Sequence, residues 1–153
     1  MVQDEIPEWS LVMVGDGDKY QECEEIIAKK KLKRVNMVGY QMSIPYIDRA
    51  SILCITSVIE GLPTVFTEAM NLGVVPIGFD SFRAIYDMID DGKNGFIIRD
   101  NDYKAYAQTL IQLATNDTLR HEIASNAKLQ KGNYDIEHIG PLWIKAFRKH
   151  GIV

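Results

Sequence analysis

Glu60-Gly61-Leu62-Pro63-Thr64-Val65-Phe66-Thr67-Glu68-Ala69-Met70 is the stretch whose reading decides the fold. Ahead of it runs Ser51-Ile52-Leu53-Cys54-Ile55-Thr56-Ser57, an apolar β-branched segment of strand length, and behind it Val65 to Leu72 reads as a helix stopped by Gly73. The order is strand, loop, helix. In an open α/β sheet such a loop lies at the carboxyl end of a strand, where ligands bind, and the helix offers an anion its unpaired N–H groups and partial positive charge. Gly61 lets backbone approach a ligand, and Pro63 suits a first helical turn because its missing N–H is not needed there. A start at Pro63 or Thr64 puts Glu68 about one turn inside the helix and leaves Glu60 in the loop. Two carboxylates so placed can accept hydrogen bonds from sugar hydroxyls around a group whose phosphate meets the amides. The spacing alone does not make a site, because a first-turn Glu gains a little from the helix dipole and a loop Glu is usually just solvated.

Outward from this stretch, strand and helix signals alternate to both ends, which predicts an α/β protein: a Rossmann-like open parallel sheet with helices on both faces. Ser10 to Val14 is the first strand, ended by Gly15-Asp16-Gly17-Asp18, and Tyr20 to Lys31 the helix after it. Lys29-Lys30-Lys31 reads better as a basic last turn complementing the helix dipole than as a nucleic-acid patch. Val35 to Val38 is a short strand leading to Gly39-Tyr40-Gln41, and Ile44 to Ala50 a small helix. Beyond Gly73 come the buried strand Val74 to Gly78, a helix over Phe82 to Asp90, a turn at Asp91-Gly92-Lys93-Asn94-Gly95 and the strand Phe96 to Ile98. Asp102 caps a helix to Thr115, Asn116-Asp117 caps another to Lys131, and Ile136 to Lys149 closes the chain with Trp143 and Phe147 expected to pack on the domain body. Gly15-x-Gly17 is only a fragment of a dinucleotide fingerprint, since no third glycine follows.

Composition narrows the function. The 153 residues suit one domain, and a net charge of −4 with dispersed lysines leaves no electrostatic footprint for nucleic acid. No apolar run approaches a membrane span and the first ten residues are polar, so a cytoplasmic protein is expected, without a transmembrane segment. Cys23 and Cys54, the latter in a strand expected to be buried, lack metal spacing and fit free thiols in a reducing compartment. His121, His138 and His150 lie far apart, so no metal site is expected.

Glu60-Gly61-Leu62-Pro63 with Glu68-Ala69-Met70, then Gly73-Val74-Val75-Pro76-Ile77 and Asp91-Gly92-x-Asn94-Gly95-Phe96, resembles the donor-binding half of the family-4 retaining glycosyltransferases, enzymes of the GT-B fold. The resemblance runs from about Leu11 to the last helix. It implies transfer of a sugar from a nucleoside-diphosphate sugar with retention and without a bound metal or other cofactor. By the same resemblance Glu60 contacts hydroxyls of the donor sugar, Glu68 holds the nucleotide ribose, and backbone at Gly61, Leu62, Thr64 and Val65 faces the diphosphate. The loop Gly39-Tyr40-Gln41 takes the base, with Tyr40 either stacking on it or packing on the core edge. In that family a strand and loop carrying an Arg and a Lys that grip the diphosphate come before the position of Leu11, and an N-terminal domain binds the acceptor. Neither has a counterpart here, so the resemblance implies the C-terminal half of the GT-B fold, lacking its first βα unit: one donor-binding domain over residues 1–153, with no assigned catalytic residue of its own and inactive alone. The full-length enzyme could then sit peripherally on a membrane. A nucleotide-sugar epimerase-like domain would need acid and base groups that the Glu60 to Glu68 region does not offer, and a non-catalytic α/β interaction module would not need the Glu60, Gly61, Glu68 and Gly73 spacing.

Overall fold

Residues 2–129 and 134–152 are described by a computed structural model. A short helix α1 (Val2–Glu5) precedes β1 (Leu11–Met13), α2 (Tyr20–Lys29) and β2 (Val35–Met37). Then come α3 (Ile44–Ile47), β3 (Ile52–Ile55), α4 (Thr64–Leu72), β4 (Val75–Phe79), α5 (Ile85–Met88) and β5 (Phe96–Ile98). Three helices finish the chain: α6 (Tyr103–Thr115), α7 (Asp117–Leu129) and α8 (Ile136–Lys149). All strand pairs are parallel, as the alternating order requires. The expected single sheet is, however, divided: β1 pairs only with β2, while β3, β4 and β5 form a second sheet with β4 in the middle.

β4 is the centre of the core because its side chains alternate between two helical layers. Ile77 and Phe79 meet Ile98 and Tyr106 on one face, and Val75 meets Leu113 and Ile123 of α6 and α7. The opposite face carries Pro76 and Gly78. There Ile55 packs with Phe66 and Met70 of α4, Ile85 and Met88 of α5 and Ala127 of α7. A Cβ on Gly78 would stand 3.0 Å from both Ile85 Cδ1 and Phe66 Cζ, so the absence of a side chain lets α4 and α5 close on the sheet. Proline is tolerated inside this central strand because its missing N–H falls before the β4–β5 ladder, which opens at Ile77 opposite Phe96.

Several boundaries differ from expectation for local reasons. The helix expected over Phe82 to Asp90 shrinks to α5 because Asn94 pulls the chain out of helical shape: its amide donates to Met88 O, and its Oδ1 accepts from Asp90 N at 2.7 Å. Buried Asn94 is therefore a turn-holding residue. α2 ends at Lys29, with Lys31 turned to φ 53°. α7 is capped as expected, Asn116 Oδ1 accepting from Leu119 N at 3.0 Å, and runs to Leu129; Lys131 lies outside the described residues. Asp102 caps α6 through Ala105 N at 2.9 Å. The polar N-terminus carries a helix that the pattern did not predict; α1 packs on α6, and Trp9 lies under the Arg120 guanidinium, 5.0 Å from its ring centroid. Trp143 does not pack on the domain body: it is 58% exposed and touches Phe147 of its own helix, and α8 has no buried residue.

Cys54 is half-buried, less enclosed than expected, yet burial pushes its thiol up to about 11. The Tyr106 hydroxyl, itself pushed up chiefly by burial, donates to Ile77 O at 3.1 Å. Between the thiol's ordinary value of 9.0 and about 11 an unfolded chain loses a proton that the folded chain keeps. Stability is thus intact below that window and falls as pH rises across it. Urea melts at pH 8, 9, 10 and 11 should show this decline, and Cys54→Ala should flatten it.

Gly95 offers a sharper test of packing. Its Cβ would stand 2.8 Å from both Pro76 Cγ and Pro76 O, whereas a Cβ at Gly61 meets nothing within 4 Å. Gly95→Ala should cost about 1–3 kcal/mol. Gly61→Ala should change stability by less than about 1 kcal/mol, both read from urea denaturation.

Candidate functional site

The sequence stretch from Glu60 to Met70 folds as expected: β3 ends at Ile55, the loop follows, and α4 starts at Thr64 with Pro63 as its N-cap. Pro63 has φ −71° and ψ 95° and no side-chain cap bond, so the α4 N-terminus is not closed by a side chain of its own. Phe66 N bonds Pro63 O at 2.9 Å, which leaves the amides of Thr64 and Val65 as the orphan donors of the first turn. Below them Phe66, Ala69 and Met70 are buried against the sheet, so this N-terminus is held by the core. At the far end Gly73 takes φ 76° and its amide closes the helix on Met70 O at 3.0 Å.

Glu68 lies one turn into α4, half-buried, and accepts a hydrogen bond from Ser43 Oγ at 3.2 Å. Ser43 is the N-cap residue of α3 but makes no cap bond to that helix; its hydroxyl is directed across to Glu68 instead. Sequence reasoning missed Ser43, since nothing in its local pattern pairs it with a residue 25 positions away. The contact ties α4 to the Gly39-to-Ser43 loop, and Gly15 N bonds Gly39 O at 2.8 Å. The carboxyl ends of β1 and β2 are thereby joined to each other, and the β2 loop to α4. Gly39 needs its φ of 68° for that turn. Tyr40 does not pack on the core edge: it is 86% exposed. Its ring is free to stack on a planar group.

Glu60 is half-buried in the loop, with Leu62 exposed beside it. Gly61 has no left-handed backbone, and the space where its side chain would lie is open. Among the described residues, no group of three or more His, Cys, Asp or Glu is placed to hold a metal ion, and no helix is long and apolar enough to cross a membrane.

A hollow of about 540 Å³ lies elsewhere, lined by Asp80, Asp87, Asp90, Asp91 and Asn94 among others. Three of these carboxylates are spent on structure: Asp80 accepts from Asp100 N, Asp91 from Ile97 N, and Asp90 pairs with Lys93. So many acids would repel a phosphate, and the open α4 N-terminus is the site suited to an anion.

Parallel strands, helices on both faces and an open helix N-terminus at the carboxyl edge place the protein in the Rossmann-like class of α/β folds. Residues 1–130 match the family described as Glycosyl transferases group 1, and the chain belongs to that family. It is 30% identical over 138 residues to the Campylobacter jejuni GalNAc-alpha-(1->4)-GalNAc-alpha-(1->3)-diNAcBac-PP-undecaprenol alpha-1,4-N-acetyl-D-galactosaminyltransferase, covering 90% of this chain and 38% of that protein. Structurally it is similar to a Staphylococcus aureus TarM mutant in complex with Fondaparinux, alpha-GlcNAc-glycerol and UDP, with TM-score 0.85 and 26% identity over 95% of this chain and 30% of that one. It is also similar to the C-terminal domain of the group 1 glycosyl transferase LpcC from Francisella tularensis, with TM-score 0.77 and 25% identity over 88% of this chain and 74% of that domain. The fold is that of the C-terminal Rossmann-like half of GT-B glycosyltransferases. The chain spans well under half the length of the curated relatives it matches.

The Ser43–Glu68 bond is testable on its own. Ser43→Ala should lower stability by about 0.5–1.5 kcal/mol, the usual net value of one such bond, and Ser43→Thr should recover most of it. Denaturant midpoints of the two variants decide the point.

Proposed function

We propose that this chain is the donor-binding, C-terminal domain of a family-4 retaining glycosyltransferase that moves a sugar from a nucleoside-diphosphate sugar to an acceptor during glycan synthesis. The observation that carries the reading is the α4 N-terminus: orphan amides at Thr64 and Val65 stand beside a carboxylate, Glu68, which Ser43 links to the loop bearing exposed Tyr40. UDP in the TarM complex, a structure 26% identical to this chain, supports a nucleotide as the ligand.

In this reading the diphosphate meets the Thr64 and Val65 amides together with the backbone of Gly61 and Leu62, where a negative charge gains from the helix dipole. Glu68 accepts hydrogen bonds from the ribose hydroxyls, and Tyr40 with Gly39 takes the base. Glu60, in the loop ahead of the helix, accepts from hydroxyls of the sugar. As the sugar leaves, negative charge grows on the diphosphate, and donors already aimed at it lower the barrier without reorganising. Glu60 and Glu68 are placed to bind hydroxyls, and neither is assigned as a proton donor across the bond that breaks. In the same reading the acceptor is held by an N-terminal domain and the Arg and Lys that grip the diphosphate come from a strand and loop ahead of the position of Leu11, so the chain by itself transfers no sugar.

Calorimetric titration separates the roles. Glu68→Ala should weaken UDP binding roughly 10- to 100-fold through loss of charge-assisted hydrogen bonds. A 2′,3′-dideoxy nucleotide should bind the parent protein equally poorly, and the two losses should not add. Glu60→Ala should leave UDP almost untouched and weaken a UDP-sugar. Unchanged UDP affinity in Glu68→Ala, or equal losses for both ligands in Glu60→Ala, would show that the roles are misassigned.

A further inference from the structure

The residues from Ser57 to Leu62 lead from the end of β3 to Pro63 and carry Glu60 between them. Side-chain packing does little to hold this span: Val58, Ile59 and Leu62 are 70%, 87% and 50% exposed. Among the described residues only one hydrogen bond reaches it, and that bond comes from another loop. Ser81 Oγ, part-buried, donates to Ser57 O at 2.6 Å.

This bond stands where the ladder between β3 and β4 would place its next rung. Ser51 O accepts from Val75 N at 3.1 Å, and the groups that face a neighbouring strand recur at every second residue. Counted forward from that rung, the carbonyls of Leu53, Ile55 and Ser57 come opposite the amides of Ile77, Phe79 and Ser81. Ser57 and Ser81 keep the same separation of 24 positions. By Ser81 the chain has entered the turn toward α5, and the hydroxyl takes the place of the amide.

The donor is fixed on both sides. Asp80 N donates to Ile98 O at 2.8 Å and Asp80 Oδ1 accepts from Asp100 N at 2.6 Å, which ties the preceding residue to β5 and the turn beyond it. Phe82, the following residue, is buried, its ring centroid 6.4 Å from that of Phe66 in α4. Ser81 therefore stands between a polar anchor and an apolar one. At the other end of the span Pro63 is buried, and its carbonyl accepts from Phe66 N at 2.9 Å. With both ends held, the free stretch runs from Val58 to Leu62; without the Ser81 bond it begins at Thr56, directly after β3.

We propose that Ser81 is a positioning residue of the donor site: by fixing the Ser57 carbonyl, its hydroxyl sets the course of the loop and so the place of the Glu60 carboxylate. The inference rests on the reading in which Glu60 meets the donor sugar. Glu68 and the Thr64 and Val65 amides belong to α4, which Phe66, Ala69 and Met70 anchor in the core without this bond. Loss of the hydroxyl is therefore felt by the sugar and hardly by the nucleotide, a division that loosening of the whole domain would not produce.

Nitrogen-15 relaxation of the free chain and calorimetric titration with UDP and UDP-glucose test this together. Ser81→Ala should increase the mobility of the Val58 to Leu62 amides before any ligand is added, and Ser81→Thr should leave it as in the parent. Ser81→Ala should weaken UDP-glucose by about three- to tenfold, the factor one such hydrogen bond commands, and change UDP by less than about twofold. Ser81→Thr, which keeps the hydroxyl, should restore UDP-glucose affinity. In a Glu60→Ala background Ser81→Ala should cost nothing further, because the carboxylate it places is gone. Unchanged loop relaxation, equal losses of both ligands in Ser81→Ala, or an additive loss in the double variant would overturn the proposal. A Glu60→Ala chain that binds UDP-glucose as the parent does would remove the sugar role of Glu60 and this inference with it. A loss in Glu60→Ala that Ser81→Ala does not share would remove the Ser81 role alone.

Discussion

The close approach of α4 to the central strand is the constraint on which the rest depends. It exists because Gly78 has no side chain, so the Phe66 ring and Ile85 occupy the space a Cβ would take. With Phe66, Ala69 and Met70 sealed against β3 and β4, the helix axis is fixed and its first turn must open above the carboxyl end of β3. A helix N-terminus held in this way presents its amides at no entropic cost when an anion arrives, which a mobile loop could not do. The packing also decides where Glu68 stands, since it shares the helix with these buried residues.

Around that helix the acids divide into two kinds. In the hollow Asp80 and Asp91 receive the backbone amides of Asp100 and Ile97, Asp90 pairs with Lys93, and Asn94 closes the same turn from inside. Glu60 and Glu68 are different, because Glu68 is oriented by one hydroxyl and neither takes part in an ion pair within 4.0 Å among the described residues. Size of cavity and suitability for a phosphate therefore point in opposite directions here. Concentrated carboxylates repel what a helix N-terminus attracts.

Burial is distributed as unevenly as charge. The β3–β4–β5 sheet is covered on both faces by α4, α5, α6 and α7, while the β1–α2–β2 unit leans on the remainder through α1, Trp9 and the Ser43–Glu68 bond just after β2. Arg34 reinforces that attachment by donating to the backbone of Trp9 and Gln3. A parallel unit attached in this way retains its shape through hydrogen bonds more than through a core of its own.

By itself the sequence determined the alternation of strands and helices, the parallel pairing, the strand–loop–helix order at Glu60 to Met70, and the caps at Asp102, Asn116 and Gly73. These are local matters of period, turn chemistry and capping, and a few neighbouring residues are enough to dictate them. The family likeness was legible for the same reason, resting on short motifs with fixed spacing. Only the tertiary structure decided that the sheet is divided, that Asn94 cuts the α5 helix short, that Trp143 lies open, and that Ser43 reaches Glu68. Each of those depends on contacts that local pattern does not specify: the pairing of β1 with β2 alone, a carbonyl six residues back, a surface for α8 to cover, a hydroxyl 25 positions from its acceptor. Periodicity describes which face of an element is apolar, and it is silent about what, if anything, that face meets.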